Sequence, residues 1–180
     1  VGPDHLPQPR GQPRTLFEHG APRRLAARVD TAEILVEFAD RVAAVLRGGA
    51  RVIQYRDKSD DHERRLDEAG RLKDLCEIHG ALLLINDDVT LAREVGAHGV
   101  HVGQEDLALA EARAMLGERA VIGVTCHDSL ELALAAEGGG ADYVAFGAVF
   151  TSPTKPGARR APLALITEAR RRLAIPICAI

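Results

Sequence analysis

The sequence predicts an α/β protein on a parallel sheet, closed as a β/α barrel. Three observations point there: apolar runs of strand length alternate with helical patterns, the connections are short, and a polar cluster follows nearly every apolar run. Parallel neighbours need crossover connections, which strand, helix, strand units supply. A doubly wound sheet would carry a Gly-rich phosphate turn after its first strand, and this chain has none. A barrel instead gathers polar loops at the carboxyl ends of its strands.

Residues 1–24 are rich in Pro, Arg, Gly and Gln and lack a hydrophobic period, which predicts a loosely ordered arm ahead of one domain over residues 25–180. From Thr31, residues Ile34, Leu35, Phe38, Val42, Val45 and Leu46 recur at helical spacing, with Asp30 or Thr31 as cap and Gly48-Gly49 as stop. The run ARVIQY then reads as a buried strand opening into the polar RDKSD. The unit repeats. A charged helix from Asp61 to His79 precedes the strand ALLLI and the turn NDD, and a short helix from Thr90 to Val95 precedes GVHV and GQED. A helix from Leu107 to Leu116 precedes AVIGV and TCHD, and one from Leu130 to Ala136 runs into three glycines before DYVAF. The loop GAVFTSPTKPGARRAP and a helix from Leu163 to Leu173 lead to IPICAI.

Composition removes several function classes. With 46% hydrophobic and 27% charged residues the 180-residue chain is globular and of one-domain size. A net charge of -3 gives no broad positive field and 3% aromatics give no stacking platform, so nucleic acid is not an expected partner. No run approaches the roughly 18 apolar residues of a membrane span, and the first residues lack a signal-type apolar region. Cys76, Cys126 and Cys178 lie far apart, without metal-ligand spacing, and suit a reducing compartment; the cytoplasm is the expected location.

Three clusters carry candidate chemistry. At the end of the first strong strand, alternation points Gln54, Arg56 and Lys58 one way and Tyr55 and Asp57 the other. A guanidinium fork beside an ammonium suits a diphosphate, although a solvated strand end has the same composition. Asn86-Asp87-Asp88 and Asp106 follow adjacent strands, and oxygen ligands from two neighbouring loops with phosphates completing the shell are what Mg2+ takes. Each of these residues alone is equally an ordinary turn or cap residue, Asp106 before Leu107 included. Ser152, Pro153, Thr154 and Lys155 give the longest loop hydroxyls, a cation and fixed turns, a set suited to an anion, although Pro- and Gly-bearing loops are often only linkers; Thr125 either adds a hydroxyl on the same side or satisfies a backbone group. His98, His101 and His127 are weaker candidates; His101, in mid-strand, reads as a packed, hydrogen-bonded side chain. The run HERRLDEAGRLK reads as an exposed helix face with local ion pairs.

The segments GGARVIQYRDKS, LLLINDDVTLAREVGAHGVHVGQEDL, VIGVTCH, GGADYVAFGAVFTSPTKPGA and IPICAI together resemble the thiamine-phosphate synthase family, in its order and spacing, over roughly Gly48 to Ile180. The resemblance implies an eight-stranded (β/α)8 TIM-type barrel. It also implies a transferase that joins a hydroxymethylpyrimidine diphosphate to a thiazole phosphate, with or without a carboxyl group, releasing pyrophosphate. By matching motif, Gln54, Arg56, Lys58 and Asn86 would hold the pyrimidine diphosphate, Asp87 and Asp106 would hold Mg2+, and Ser152, Pro153 and Thr154 would contact the thiazole phosphate; Tyr55 and Asp57, between these residues, are also expected to bind substrate. Lys155 would reach the diphosphate, and Arg56, Lys58 and Lys155 would act as the catalytic cations. Thr125 stands where the family usually has Ser, and Ser152 where it has Thr.

The family also continues beyond CAI with a Gly-rich turn, a strand and a helix, and opens with an apolar strand for which LAARVD is a weak substitute. The expectation is therefore a barrel short of its last strand and helix, with an exposed edge that leaves a homo-oligomer among the partners to expect. Two alternatives accompany the transferase: the related thiazole tautomerase, and a non-catalytic relic that binds the pyrimidine diphosphate.

Overall fold

The computed structural model describes residues 26–30, 35–103, 109–150 and 160–180, with side chains described from Phe38 onward. The 1–24 arm, Asp106 and the Ser152–Lys155 cluster lie outside the described residues. Seven parallel strands pair in chain order, β1 (Ala26–Asp30), β2 (Val52–Arg56), β3 (Leu82–Asn86), β4 (Gly99–Val102), β5 (Val121–His127), β6 (Tyr143–Phe146) and β7 (Ile177–Ala179). Consecutive order throughout is that of a barrel wall; a doubly wound sheet reverses its order at a switch point. The strands are joined by α1 (Leu35–Arg47), α2 (His62–Ile78), α3 (Val89–Glu94), α4 (Leu109–Leu116), α5 (Leu130–Gly138) and α6 (Leu163–Arg172). The weak first strand forms: Ala26–Asp30 pairs in register with Val52–Arg56, so Asp30 ends a strand opposite Arg56 instead of opening α1.

Alternation divides each strand between two environments. Ile53 and Tyr55, Leu83 and Ile85, Val100 and Val102, Ile122 and Val124, and Val144 and Phe146 share one core with Val42, Leu46, Leu72, Leu91 and Ala133 of the helices. Each such aliphatic side chain contributes about 1.5–3 kcal/mol by leaving water. The intervening residues point to the other, inner side of the sheet. There, Asn86, His101, Gly123 and Tyr143 follow one another across β3 to β6, and Thr125, Ala145 and Cys178 form the next row.

Side-chain caps fix the helix starts that face the strand ends. Asp61 accepts from the Arg64 N–H at 3.1 Å, Asp88 from Leu91 at 2.8 Å and Ser129 from Leu132 at 3.2 Å. Asp88 of the NDD turn is therefore a helix cap. At the opposite, amino end of the sheet, Arg113 donates to the Ala120 and Gly140 carbonyls and pairs with Asp142 at 2.7 Å, tying β5 and β6 together.

His98 enters β4 with its ring turned back to β3, where Nδ1 accepts from the Leu83 N–H at 2.9 Å. That bond needs an unprotonated Nδ1. Burial, then the nearby Lys73 ammonium, hold the imidazole below its ordinary pKa despite the opposing Glu77. With the folded-state value depressed, the unfolded chain takes up the proton first as pH falls below the usual histidine range, so stability declines with acidification there. The expected result is a lower thermal midpoint at pH 5.5 than at 7.5, with a flatter dependence in His98→Asn, read by calorimetric melting at both pH values.

Candidate active site

The carboxyl ends of β2 and β3 carry the densest chemistry. Gln54 and Arg56 occupy alternate positions of β2 whose neighbours Ile53 and Tyr55 are in the helix-side core, so both face the inner side, partly buried. Lys58 follows in the loop and is exposed. On the neighbouring strand Asn86 takes the equivalent end position, one residue beyond the Tyr55 and Ile85 register pair. Its amide donates to Asp87 Oδ2 at 2.5 Å. Asp87 turns the chain with φ 67°, a left-handed conformation that Asp tolerates better than most residues, and its N–H donates to the His101 carbonyl at 2.8 Å. The Asp87 backbone is thus clamped to β4 where β3 gives way to its loop.

Two residues expected to bind substrate point toward α2. Tyr55 points away from the inner side and is 1% exposed, and its hydroxyl donates to Glu68 Oε2 on α2 at 2.8 Å. Asp57 is likewise turned to α2, where the Arg64 guanidinium reaches its carboxylate at 2.5 Å. Both side chains are engaged behind the site, Tyr55 as the alternation of β2 requires and Asp57 through its pair with Arg64 in the loop that follows.

Thr125 and His101 meet inside the sheet. His101 Nε2 lies 2.8 Å from Thr125 Oγ1 and Nδ1 lies 2.7 Å from the Tyr143 hydroxyl. His101 is a packed, hydrogen-bonded histidine, as its mid-strand position predicts. Tyr143 is the member sequence reasoning missed. Its ring lies over Gly123, where an added Cβ would stand 2.0 Å from Tyr143 Cζ; the glycine next to β-branched neighbours in AVIGV was the signal available. Burial, then the nearby Cys178, push the Tyr143 phenol far up, so it stays protonated and can donate to His101. Tyr143→Phe leaves His101 Nδ1 without that partner and is expected to cost about 1–3 kcal/mol by chemical denaturation.

Among the described residues no three His, Cys, Asp or Glu side chains converge as a metal cage. One carboxylate with an adjacent amide still fits Mg2+, which keeps waters and shares its shell with substrate phosphates; it would not fit zinc. His127 is exposed at the end of β5, which continues through the TCH segment expected to be a loop. All three cysteines are free, and no described helix is long and apolar enough to cross a membrane.

This fold defines a parallel β/α protein whose strands follow in consecutive order, with a cluster of polar and charged side chains at the carboxyl ends of β2 and β3. Residues 27–180 match the thiamine monophosphate synthase family (TMP-TENI), and the chain belongs to that family. It is 68% identical over 140 residues to the thiamine-phosphate synthase of Thioalkalivibrio sulfidiphilus, covering 78% of this chain and 66% of that protein. To the thiamine-phosphate synthase of Halorhodospira halophila it is 50% identical over 159 residues, 88% of this chain and 76% of the relative. The structure of thiamine phosphate pyrophosphorylase from Pyrococcus furiosus superposes with a TM-score of 0.74 at 33% identity, covering 85% of this chain and 73% of that one. The chain thus spans about two thirds of the length of the first of these relatives.

Proposed function

We propose that the chain is a thiamine-phosphate synthase, joining hydroxymethylpyrimidine diphosphate to a thiazole phosphate with release of pyrophosphate. The observation that carries this reading is the placement of Gln54 and Arg56 on the inner side at the end of β2, beside Asn86 and Asp87 at the end of β3. A departing diphosphate builds negative charge, and fixed donors at that point stabilise it more than they stabilise the bound substrate. Arg56 offers a two-pronged donor to the phosphoryl oxygens and Lys58 a mobile point charge, while Gln54 and Asn86 donate from their amides. Asp87 is the residue that would hold Mg2+, with Asp106 as the second carboxylate. When bound, the ion supplies further neutralisation of the diphosphate.

Loss of the diphosphate leaves a pyrimidine cation that the thiazole nitrogen attacks, so no side-chain nucleophile is required. Ser152, Pro153 and Thr154 take the thiazole phosphate and Lys155 the diphosphate, in line with the resemblance. The consecutive strand order supports a (β/α)8 barrel as the parent architecture. The substrates are small molecules, and the free cysteines suit the cytoplasm. A thiazole tautomerase would need neither diphosphate cations nor a metal carboxylate, which favours the transferase.

The test is incubation of the chain with both substrates and Mg2+, following thiamine phosphate by the fluorescence of its oxidised form. Product that disappears in Asp87→Ala is expected. Absence of pyrophosphate release from the folded chain overturns the reading.

A further inference from the structure

Behind the two site loops, α2 presents adjacent arginines that reach in different directions, since neighbours on a helix stand about 100° apart. Arg64 gathers the loop after β2: its Nη2 meets Asp57 Oδ2 at 2.5 Å and Ser59 Oγ at 2.7 Å, and its Nη1 meets Glu68 Oε1 at 2.9 Å. Ser59 N–H donates to Asp57 Oδ1 at 2.7 Å, so Lys58 is carried between two anchored residues. Glu68 also accepts from Tyr55, which ties the same helix to β2 itself. Burial alone would raise the Asp57 carboxyl, but the bonds from Ser59 and Arg64 outweigh it and hold the group below the ordinary range, so it is ionised at neutral pH. Arg65 takes the other loop: its Nη2 meets Asp88 Oδ2 at 2.7 Å, while Asp88 Oδ1 caps α3 at the Leu91 N–H. Asp88 directly follows Asp87. Arg65 is mostly buried, and its Nε has no acceptor, a cost that a loose surface pair would avoid.

We propose that Arg64 and Arg65 are positioning residues that hold the loops after β2 and β3 at a fixed separation, so that Arg56 and Lys58 stand in register with Asn86 and Asp87 around one diphosphate. This rests on the diphosphate reading of the site above. Neither arginine touches the substrate. They act through Asp57, Ser59 and Asp88, as the outer partners of a metal or phosphate site orient the groups in contact with it.

The two contacts differ in form, and the difference supplies the test. Arg64 serves three acceptors at once, which a lysine cannot do, whereas Arg65 meets one carboxylate through one nitrogen. In Arg64→Met and Arg65→Met, affinity for inorganic pyrophosphate at fixed Mg2+, read by titration calorimetry, is expected to fall about tenfold or more. KM for the pyrimidine diphosphate should rise in step, while KM for the thiazole phosphate stays unchanged. Arg65→Lys should restore most of the pyrophosphate affinity and Arg64→Lys little of it. Unchanged pyrophosphate affinity, or both KM values rising together in proportion to a lowered thermal midpoint, would overturn the proposal. Where a Met variant does not fold, Asp57→Asn and the Lys variants carry the same comparison. A wild-type chain that binds pyrophosphate but makes no product would refute the transferase reading alone, since the calorimetric contrast among variants still decides the positioning role.

Discussion

Replacing Arg56 by methionine is expected to lower kcat/KM for thiamine phosphate formation by about 10²- to 10³-fold, the scale of removing one fixed donor from a site of developing charge. The residue ends β2 on the inner side, partly buried, so the strand fixes its backbone and the side to which its side chain is directed. A donor aimed at the leaving diphosphate matters most as the bond breaks, so the loss should fall mainly on kcat, with a smaller rise in KM. Methionine retains much of the stem, and the strand end contributes little to the helix-side core, so the thermal midpoint should move by only a few degrees. Steady-state kinetics with fluorescent detection of product separates the two parameters. A kcat within twofold of wild type would remove Arg56 from the charge-neutralising set and shift that role to Lys58 and the ion.

The fold was legible because period and punctuation agreed: strand-length apolar runs, helical spacing between them, and glycines at the helix ends. Positive φ at Gly49, Gly80, Gly96, Gly117 and Gly140 shows why those stops are glycine. The split of Gln54 and Arg56 from Tyr55 was also readable, since strand alternation leaves no other arrangement, whereas Asp57 follows the strand and is placed by Arg64. The local ion pairs of α2, Arg71 with Asp67 and Lys73 with Glu77, follow from four-residue helical spacing. Such spacing could not expose Arg64 with Asp57 or Arg65 with Asp88, because those pairs depend on two loops flanking the start of α2. The run HERRLDEAGRLK therefore read as an exposed face, yet Glu68 within it is 6% exposed. Tyr143 escaped for a related reason: its partners on β4 and β5 lie 42 residues away at His101 and 20 residues away at Gly123, and only strand register brings them together.

Gly99→Ala is expected to be the most damaging single-methyl change in the sheet. An ideal Cβ at this position would lie 1.8 Å from the Val121 carbonyl oxygen, 2.6 Å from its carbon and 2.8 Å from its nitrogen. All three are backbone atoms of the strand paired in register with Gly99, so no side-chain rotation makes room and β4 must part from β5. Such overpacking costs about 3 kcal/mol or more, a fall in thermal midpoint of roughly 6–12 °C for a chain of this size. At Gly123 the obstruction is the Tyr143 ring, a side chain that can tilt at the expense of its bond to His101, so Gly123→Ala should cost less than Gly99→Ala. Gly70 supplies the opposite sign. It sits inside α2 with nothing within 4 Å of an added Cβ, and Gly70→Ala should stabilise the chain by about 0.5–1 kcal/mol through lost freedom of the unfolded state. The three variants add the same methyl group, so calorimetric melting ranks them by surroundings alone. A Gly99→Ala protein melting with the wild type would mean that β4 and β5 do not approach as closely as their pairing requires, and with them the clamp from the Asp87 N–H to the His101 carbonyl would be in question.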